Sequence, residues 1–313
     1  MKKIFNSRVY SLSLTILCIA IIACIIFPGQ FATRQNFSQL LLNLSTDTIV
    51  AVGMMLLLIS GTFDLSVGSV VAFAGCIAAY AMFFGQVPVF LAISLALLAS
   101  LAIGIVNGYF IAYQQVNPMI QTLAMMGIVR GLALWLSGAS IQGLPYWFNA
   151  ISQSKLFGIQ MPVWYMLFTV GIFTFLFHYT NFFRRYYYIG GNEKAAELSG
   201  IPVSKMKLYS FALTSLLAGI AGILLSSRLG AALPTSGRGL ELRVITAVIL
   251  GGASLNGGLG KIPGALLGAL FMGIIANIMV ISRVSGYWQE IILGIILIFA
   301  VWIDKYLQRK NEI

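Results

Sequence analysis

Ten predominantly apolar runs divide this chain, at residues 11–28, 38–60, 66–84, 88–112, 118–138, 162–180, 209–227, 241–253, 263–282 and 288–303. All but the eighth are 16 to 25 residues long. At about 1.5 Å per helical residue, most of these reach across a hydrocarbon core of about 30 Å. A water-soluble fold cannot cover them: 59% of the residues are hydrophobic and 9% are charged, and the mean hydropathy is +0.95, leaving too little polar surface. The expectation is an all-α polytopic membrane protein of about ten transmembrane segments. No linker, low-complexity tract or charge block divides it, so residues 1–313 read as a single domain. The eighth run, ELRVITAVILGGA, is too short to cross alone and is expected to be a broken or re-entrant helix buried among the others.

Cations test the count. With a cytoplasmic N-terminus and ten crossings, Lys2, Lys3, Arg8, Arg184, Arg185, Lys194, Lys205, Lys207, Lys261, Lys305, Arg309 and Lys310 fall inside, and Arg34, Lys155, Arg228, Arg238, Arg243 and Arg283 outside. Arg130 is left within the membrane. The twofold excess inside follows the usual orientation bias and puts both termini in the cytoplasm. The net charge of +11 is explained by this orientation; the cations sit at the ends of apolar runs and form no basic face, so nucleic acid is excluded as a partner. Cys18, Cys24 and Cys76 lie in apolar stretches without CxxC spacing, and His178 is the only histidine, so neither metal nor disulfide is expected. The N-terminal run resembles a signal peptide but is longer than an ordinary signal core, and many spans follow it; an uncleaved first span is the expectation.

Two polar stretches are long enough to act independently: Ser137 to Met161, external by this count, and Asn181 to Leu208, internal. In the second, Asn192 is suited to cap a helix, Glu193 sits at its positive end, and residues 194–198 are good helix formers. Gly200 supplies a left-handed stop and Pro202 prevents continuation. The product is a helix of about two turns, too short to be stable alone. It is either an ordinary interfacial loop or a plug for a groove on a cytoplasmic partner. A further internal pattern is compatible with two inverted five-segment halves: GTFDLSVGSVVAFAG and GGASLNGGLGKIPGALLGAL each place a glycine-rich turn before a small-residue helix.

No energy source is encoded. LNGGLGKIP has Leu255 where a phosphate loop needs its first glycine, and Ile262 where Ser or Thr should follow Lys261. A nucleophile elbow, a zinc-protease helix and closely spaced carboxylate pairs are also missing, so the chain is not read as an enzyme. What stands out is polarity within the apolar runs. Asp64 costs several kcal/mol unless it finds partners, about 2.5 to 3.5 on insertion scales; it is expected to accept N–H bonds from Val67 or Gly68 at the start of the third segment, or to serve a gate or cavity. Asp47 and Arg130 are expected to pair. Asn107, Asn117, Gln121, Thr122 and Asn277 offer donors and acceptors to a polar pathway or gate, or else join helix to helix.

In order and spacing, SGTFDLSVGSVVAFAG, VNPMIQTLAMMGIVRGL, IGGNEKAAELSGIPV and AVILGGASLNGGLGK resemble the permease subunits of bacterial monosaccharide ATP-binding-cassette importers of the ribose, xylose and arabinose type, across nearly the whole chain from Gln35 to Tyr306. The resemblance implies a second permease copy, identical or a sibling; an ATPase subunit, commonly a fused tandem, that uses the ATP and Mg²⁺; and a periplasmic or lipid-anchored sugar-binding protein. No cofactor would be bound by this chain. It also implies that Gly190, Gly191, Asn192, Glu193, Ala195, Ala196, Leu198, Ser199 and Gly200 couple to that ATPase. The family commonly reads Gly-Gly-Ile-Asp at the aspartate turn where this chain has Gly61, Thr62, Phe63 and Asp64, which looks most like the L-arabinose branch. Sugar identity in such systems rests largely with the binding protein. The rival reading is an ion- or proton-coupled secondary transporter with Asp47, Asp64 and Arg130 as its coupling groups.

Overall fold

The computed structural model describes the backbone of residues 2–311 and the side chains of residues 10–306. Lys2, Lys3, Arg8, Arg309 and Lys310, counted above for orientation, have side chains outside the described residues. The apolar runs become α1 (Lys2–Ile26), α2 (Arg34–Ile59), α3 (Val67–Phe83), α4 (Val89–Ala112), α5 (Pro118–Ser137), α7 (Met161–Tyr179), α10 (Val203–Leu229), α11 (Leu240–Leu250), α12 (Ile262–Ile281) and α13 (Gly286–Asn311). Between them lie α6 (Tyr146–Gln153), α8 (Asn181–Gly191), α9 (Glu193–Leu198) and four two-residue strands, β1 (Ile141–Gln142), β2 (Lys155–Leu156), β3 (Ile159–Gln160) and β4 (Ala231–Ala232). Among the described residues, seven helices are long and apolar enough to cross a membrane, and α3 and the apolar part of α1 are shorter apolar helices. The protein is thus an all-α polytopic membrane protein.

The sequence of α2 explains its place. From Leu40 to Ile59 every residue except Leu41, Asn43 and Asp47 is buried, as expected of a helix that is apolar on all sides. It runs against α10, whose Thr214 hydroxyl donates to the carbonyl of Gly53 at 3.0 Å. On its other side α10 meets α3 so closely that a Cβ at Gly222 would strike the carbonyl of Val71. Such small residues let helix backbones touch, the main source of cohesion where lipid removes any hydrophobic contrast. The outer faces of α1, α4, α5 and α13 carry most of the exposed apolar side chains, among them Ile25, Phe90, Trp135 and Ile298.

The packing repeats with exchanged partners. α10 packs on α3 and α4, and α2 packs on α11 and α12; α3 meets α4 and α5, and α11 meets α12 and α13. Since α2 and α10 are antiparallel, units α2–α5 and α10–α13 are related by inversion. Two expectations are corrected here. The repeating unit has four helices instead of five, because α1 packs on α12 while α7 packs on α2 and α12. The turn before α3 corresponds to residues 230–239 before α11; the GGASLNGGLG stretch lies one connection later.

The eighth segment is broken, as its length requires. β4 pairs antiparallel with β1, Ile141 opposite Ala232, at the end of α10 remote from α9. From there residues 233–239 descend without helix, and Gly237 meets Gly68 of α3 inside the bundle. α11 begins at that depth, and residues 251–260 reach the α9 end, where the Gly258 N–H donates to the Ile59 carbonyl at 2.9 Å. The stretch from residue 233 to residue 260 thus runs from the β4 end of α10 to the α9 end of the bundle. At the remote end, α6 is pinned to α10 by Ser152, whose hydroxyl donates to the Leu224 carbonyl at 2.8 Å.

Candidate functional site

Three polar arrangements interrupt the apolar bundle. The first is the knob made by α8 and α9. Asn192 Oδ1 accepts from the N–H of Ala195 at 3.0 Å, the capping expected from its position. The helix ends as expected too: Gly200 is left-handed at φ +80°, and the N–H groups of Gly200 and Ile201 donate to Glu197 and Ala196 at 2.9 and 3.1 Å. Lys207 Nζ meets Glu193 Oε2 at 2.6 Å. Leu198, by contrast, is 90% exposed.

Beneath the knob is a platform. Gly190 backs onto the Ile59 carbonyl and the Gly258 N–H with no room for a Cβ. The Tyr186 hydroxyl donates to the Met206 carbonyl at 3.0 Å, and that of Tyr187 to the Gly260 carbonyl at 2.8 Å. Phe177 of α7 packs on Phe183 and Tyr187. The knob is therefore fastened to the end of α2, the start of α10 and the loop between α11 and α12.

Burial pushes the Tyr187 phenol up to about 12. Because this folded value lies above the ordinary value of about 10, the stability it contributes is complete below pH 10 and falls as pH rises toward 12. Tyr187→Phe is expected to cost about 1 kcal/mol at pH 8 through the lost hydrogen bond. At pH 11 the wild type should lose about 1.4 kcal/mol more than the variant does. Thermal unfolding midpoints at the two pH values check both.

The second arrangement laces α3, α4 and α5 together. Asp64 Oδ1 accepts from the N–H and hydroxyl of Ser66 at 2.7 and 2.6 Å. Asn107 Nδ2 donates to Ser66 Oγ at 3.1 Å and to Asp64 Oδ2 at 3.5 Å, and Gln121 Nε2 donates to Asn107 Oδ1 at 3.3 Å. Asp64, Ser66 and Asn107 are fully buried. Asp64 thus holds the turn one residue before the expected N–H groups of Val67 and Gly68, because the chain bends back at Ser66 before α3 starts.

The third is a cavity of about 490 Å³ among α2, α10, α11, α12 and the first turn of α13. Arg243 Nε lies 3.3 Å from Asp47 Oδ2. Arg228 donates through its two terminal nitrogens to Asn43 Oδ1 at 3.0 Å and Gln39 Oε1 at 3.1 Å. Asn36 and Asn277 exchange reciprocal amide bonds at 2.9 and 2.7 Å.

These arrangements sort the predicted residues. Gly191, Asn192, Glu193, Ala195, Leu198, Ser199 and Gly200 lie on the exposed side of the knob, whereas Ala196 is buried and Gly190 belongs to the platform. Asp64, Asn107 and Gln121 form the lacing, and Asp47 and Asn277 line the cavity. Asn117 caps α5 by accepting from the Met119 N–H, and Thr122 bonds back to the Pro118 carbonyl. The expected Asp47–Arg130 pair does not form: Arg130 donates to the carbonyls of Pro234 and Ser236 and ties α5 to the descending stretch, while Asp47 takes Arg243. Sequence reasoning passed over Asn36, Gln39, Asn43, Arg228 and Arg243 as cavity residues. Their signal was present on α2, where positions 36, 39, 43 and 47 follow helical spacing down one face.

Comparison with known proteins agrees with this architecture. The family described as branched-chain amino acid transport system / permease component matches residues 36–301. The L-arabinose transport system permease protein AraH of Escherichia coli (strain K12) is 40% identical over 300 residues, 96% of this chain and 91% of its own. The L-arabinose ABC transporter permease protein AraH of Azospirillum brasilense is 40% identical over 284 residues, 90% of this chain and 83% of its own. The ribose import permease protein RbsC of Escherichia coli (strain K12) is 37% identical over 300 residues, 94% and 92% of the two chains. With the match spanning most of its length and these relatives covering nearly all of it, the chain belongs to the branched-chain amino acid transport system / permease component family.

Proposed function

We propose that the chain is the permease subunit of a bacterial ATP-binding-cassette importer carrying a monosaccharide, pentose-like in size, into the cytoplasm. L-arabinose, ribose and xylose are the candidate cargoes. The relatives' names support the sugar class, and so does a cavity lined by amide and guanidinium groups. The observation that carries the coupling reading is Leu198, a large apolar side chain held out in water on a capped helix with a rigid base. A short helix fixed to three moving parts of the bundle is suited to convert a partner's motion into a change of bundle shape.

In this reading the α9 end and both termini face the cytoplasm of the inner membrane. Two permease copies, identical or siblings, stand on an ATPase, fused tandem or paired, which uses the ATP and Mg²⁺. A periplasmic or lipid-anchored binding protein delivers sugar at the opposite end. Nucleotide shifts the bundle only through a difference in how the ATPase grips the knob in the two states. Of the coupling groups of the secondary-transporter reading, Asp47 and Arg130 are engaged with separate partners, Arg243 and the backbone of residues 234 and 236. Proteoliposomes holding permease, ATPase and binding protein should take up labelled pentose only with ATP. Uptake by the permease alone, driven by a proton gradient, would overturn the proposal.

A further inference from the structure

The cavity beside α2 has a donor and acceptor pattern that specifies a ligand class, and the inference drawn from it rests on the sugar-permease reading above. Gln39 and Asn43 are exposed on its wall. Each turns its amide oxygen to Arg228. The guanidinium presents two parallel N–H groups at the spacing of neighbouring oxygens, and the amides present an acceptor and a donor side by side. Asp47, paired with Arg243, adds a further acceptor. A hydroxyl both gives and takes a hydrogen bond, so adjacent ring hydroxyls can exchange into this network one bond at a time. An anion would have to displace the oxygens of Gln39 and Asn43 from Arg228, and the other guanidinium, Arg243, is already neutralised by Asp47. The ammonium of a branched-chain amino acid would find the single lining carboxylate, Asp47, already neutralised by Arg243, although its free oxygen can still accept from a neutral hydroxyl.

Size and lining agree. About 490 Å³ is within the range of small-molecule sites and leaves room for a monosaccharide with several waters. Leu40, Leu225 and Met272 supply apolar surface for the C–H faces of a ring, and among the described residues no aromatic side chain lines the cavity to stack on it. Sugar would be held weakly there, as a pathway that must release its cargo requires.

We propose that this cavity is a low-affinity receiving site for a neutral monosaccharide, with Arg228, Gln39 and Asn43 gripping adjacent ring hydroxyls. The test is saturation-transfer NMR on the permease–ATPase complex in nanodiscs, with no binding protein, using L-arabinose, D-ribose, D-glucuronate and L-isoleucine as probes. One or both pentoses should bind saturably in the millimolar range. Glucuronate and isoleucine should bind at least tenfold more weakly. The double variant Gln39→Leu, Asn43→Leu should weaken pentose binding at least tenfold. Arg228→Lys, which keeps the charge and loses the fork, should do the same if the double variant does not assemble. No pentose signal from the wild type, equal binding by the variants, or equal binding of glucuronate or isoleucine would overturn the assignment. Uptake with the binding protein present separates the two levels. Import without a pentose signal rejects this site alone, whereas no import of any monosaccharide rejects the reading beneath it.

Discussion

Leu198→Asp is expected to detach the permease from its ATPase while leaving the permease folded. The side chain is 90% exposed, so in the isolated chain the substitution should change stability by no more than about 0.5 kcal/mol. α9 itself should persist, because its supports are the Asn192 cap, the buried Ala196 and the left-handed Gly200. In a complex that buries Leu198 the account changes. Losing the apolar contact costs about 1.5 to 3 kcal/mol, and an unpaired buried carboxylate adds about 3. A total above about 4 kcal/mol is roughly a thousandfold in affinity, whereas Leu198→Ala should cost only about ten- to a hundredfold. Co-purification of the ATPase and ATP-dependent uptake should fall in that order, with the thermal unfolding midpoint of the permease unchanged.

The second expectation concerns Asp64, where two substitutions should diverge. Asp64→Ala strands the Ser66 N–H and one Asn107 N–H in a fully buried position. At about 1 to 3 kcal/mol for each unsatisfied donor, the loss is about 2 to 6 kcal/mol, a large fraction of the stability of a typical fold. The variant should accumulate poorly in the membrane and unfold at a lower temperature. Asp64→Asn keeps an oxygen for Ser66 but sets its amide nitrogen against that of Asn107, so Asn107 and Gln121 must both turn over and the Asn107 bond to Ser66 Oγ is given up. Its cost should be about 1 kcal/mol, with uptake per folded molecule near normal. A folded Asp64→Asn protein that carries no sugar would mean the carboxylate acts in transport and does more than hold the turn.

The contrast between these residues shows where sequence reasoning reaches. α9 was legible because its cap, its formers and its stop are neighbours in the chain. The broken eighth segment was legible because length alone forbids a crossing. Partners distant in sequence were not. Asp47 and Arg243 are joined only once α11 descends against α2, and no linear pattern distinguishes Arg243 from Arg130 as the mate. β1 and β4 are two residues each and form only because the ends of α5 and α10 bring them together. α6 was hidden in a polar stretch, its eight residues too few for periodicity to speak. The inverted relation was visible in outline but misaligned, since glycine-rich turns recur in both units and only helix partners fix which turn matches which.

Whether α9 is the seat of the ATPase is tested most directly by a photo-crosslinking residue at position 198, with position 146 at the remote end as control. In membranes holding both subunits, illumination should join the permease to the ATPase at 198, in a manner sensitive to ATP, and never at 146. An ATPase that co-purifies with the permease yet forms no adduct at 198 would contradict the account.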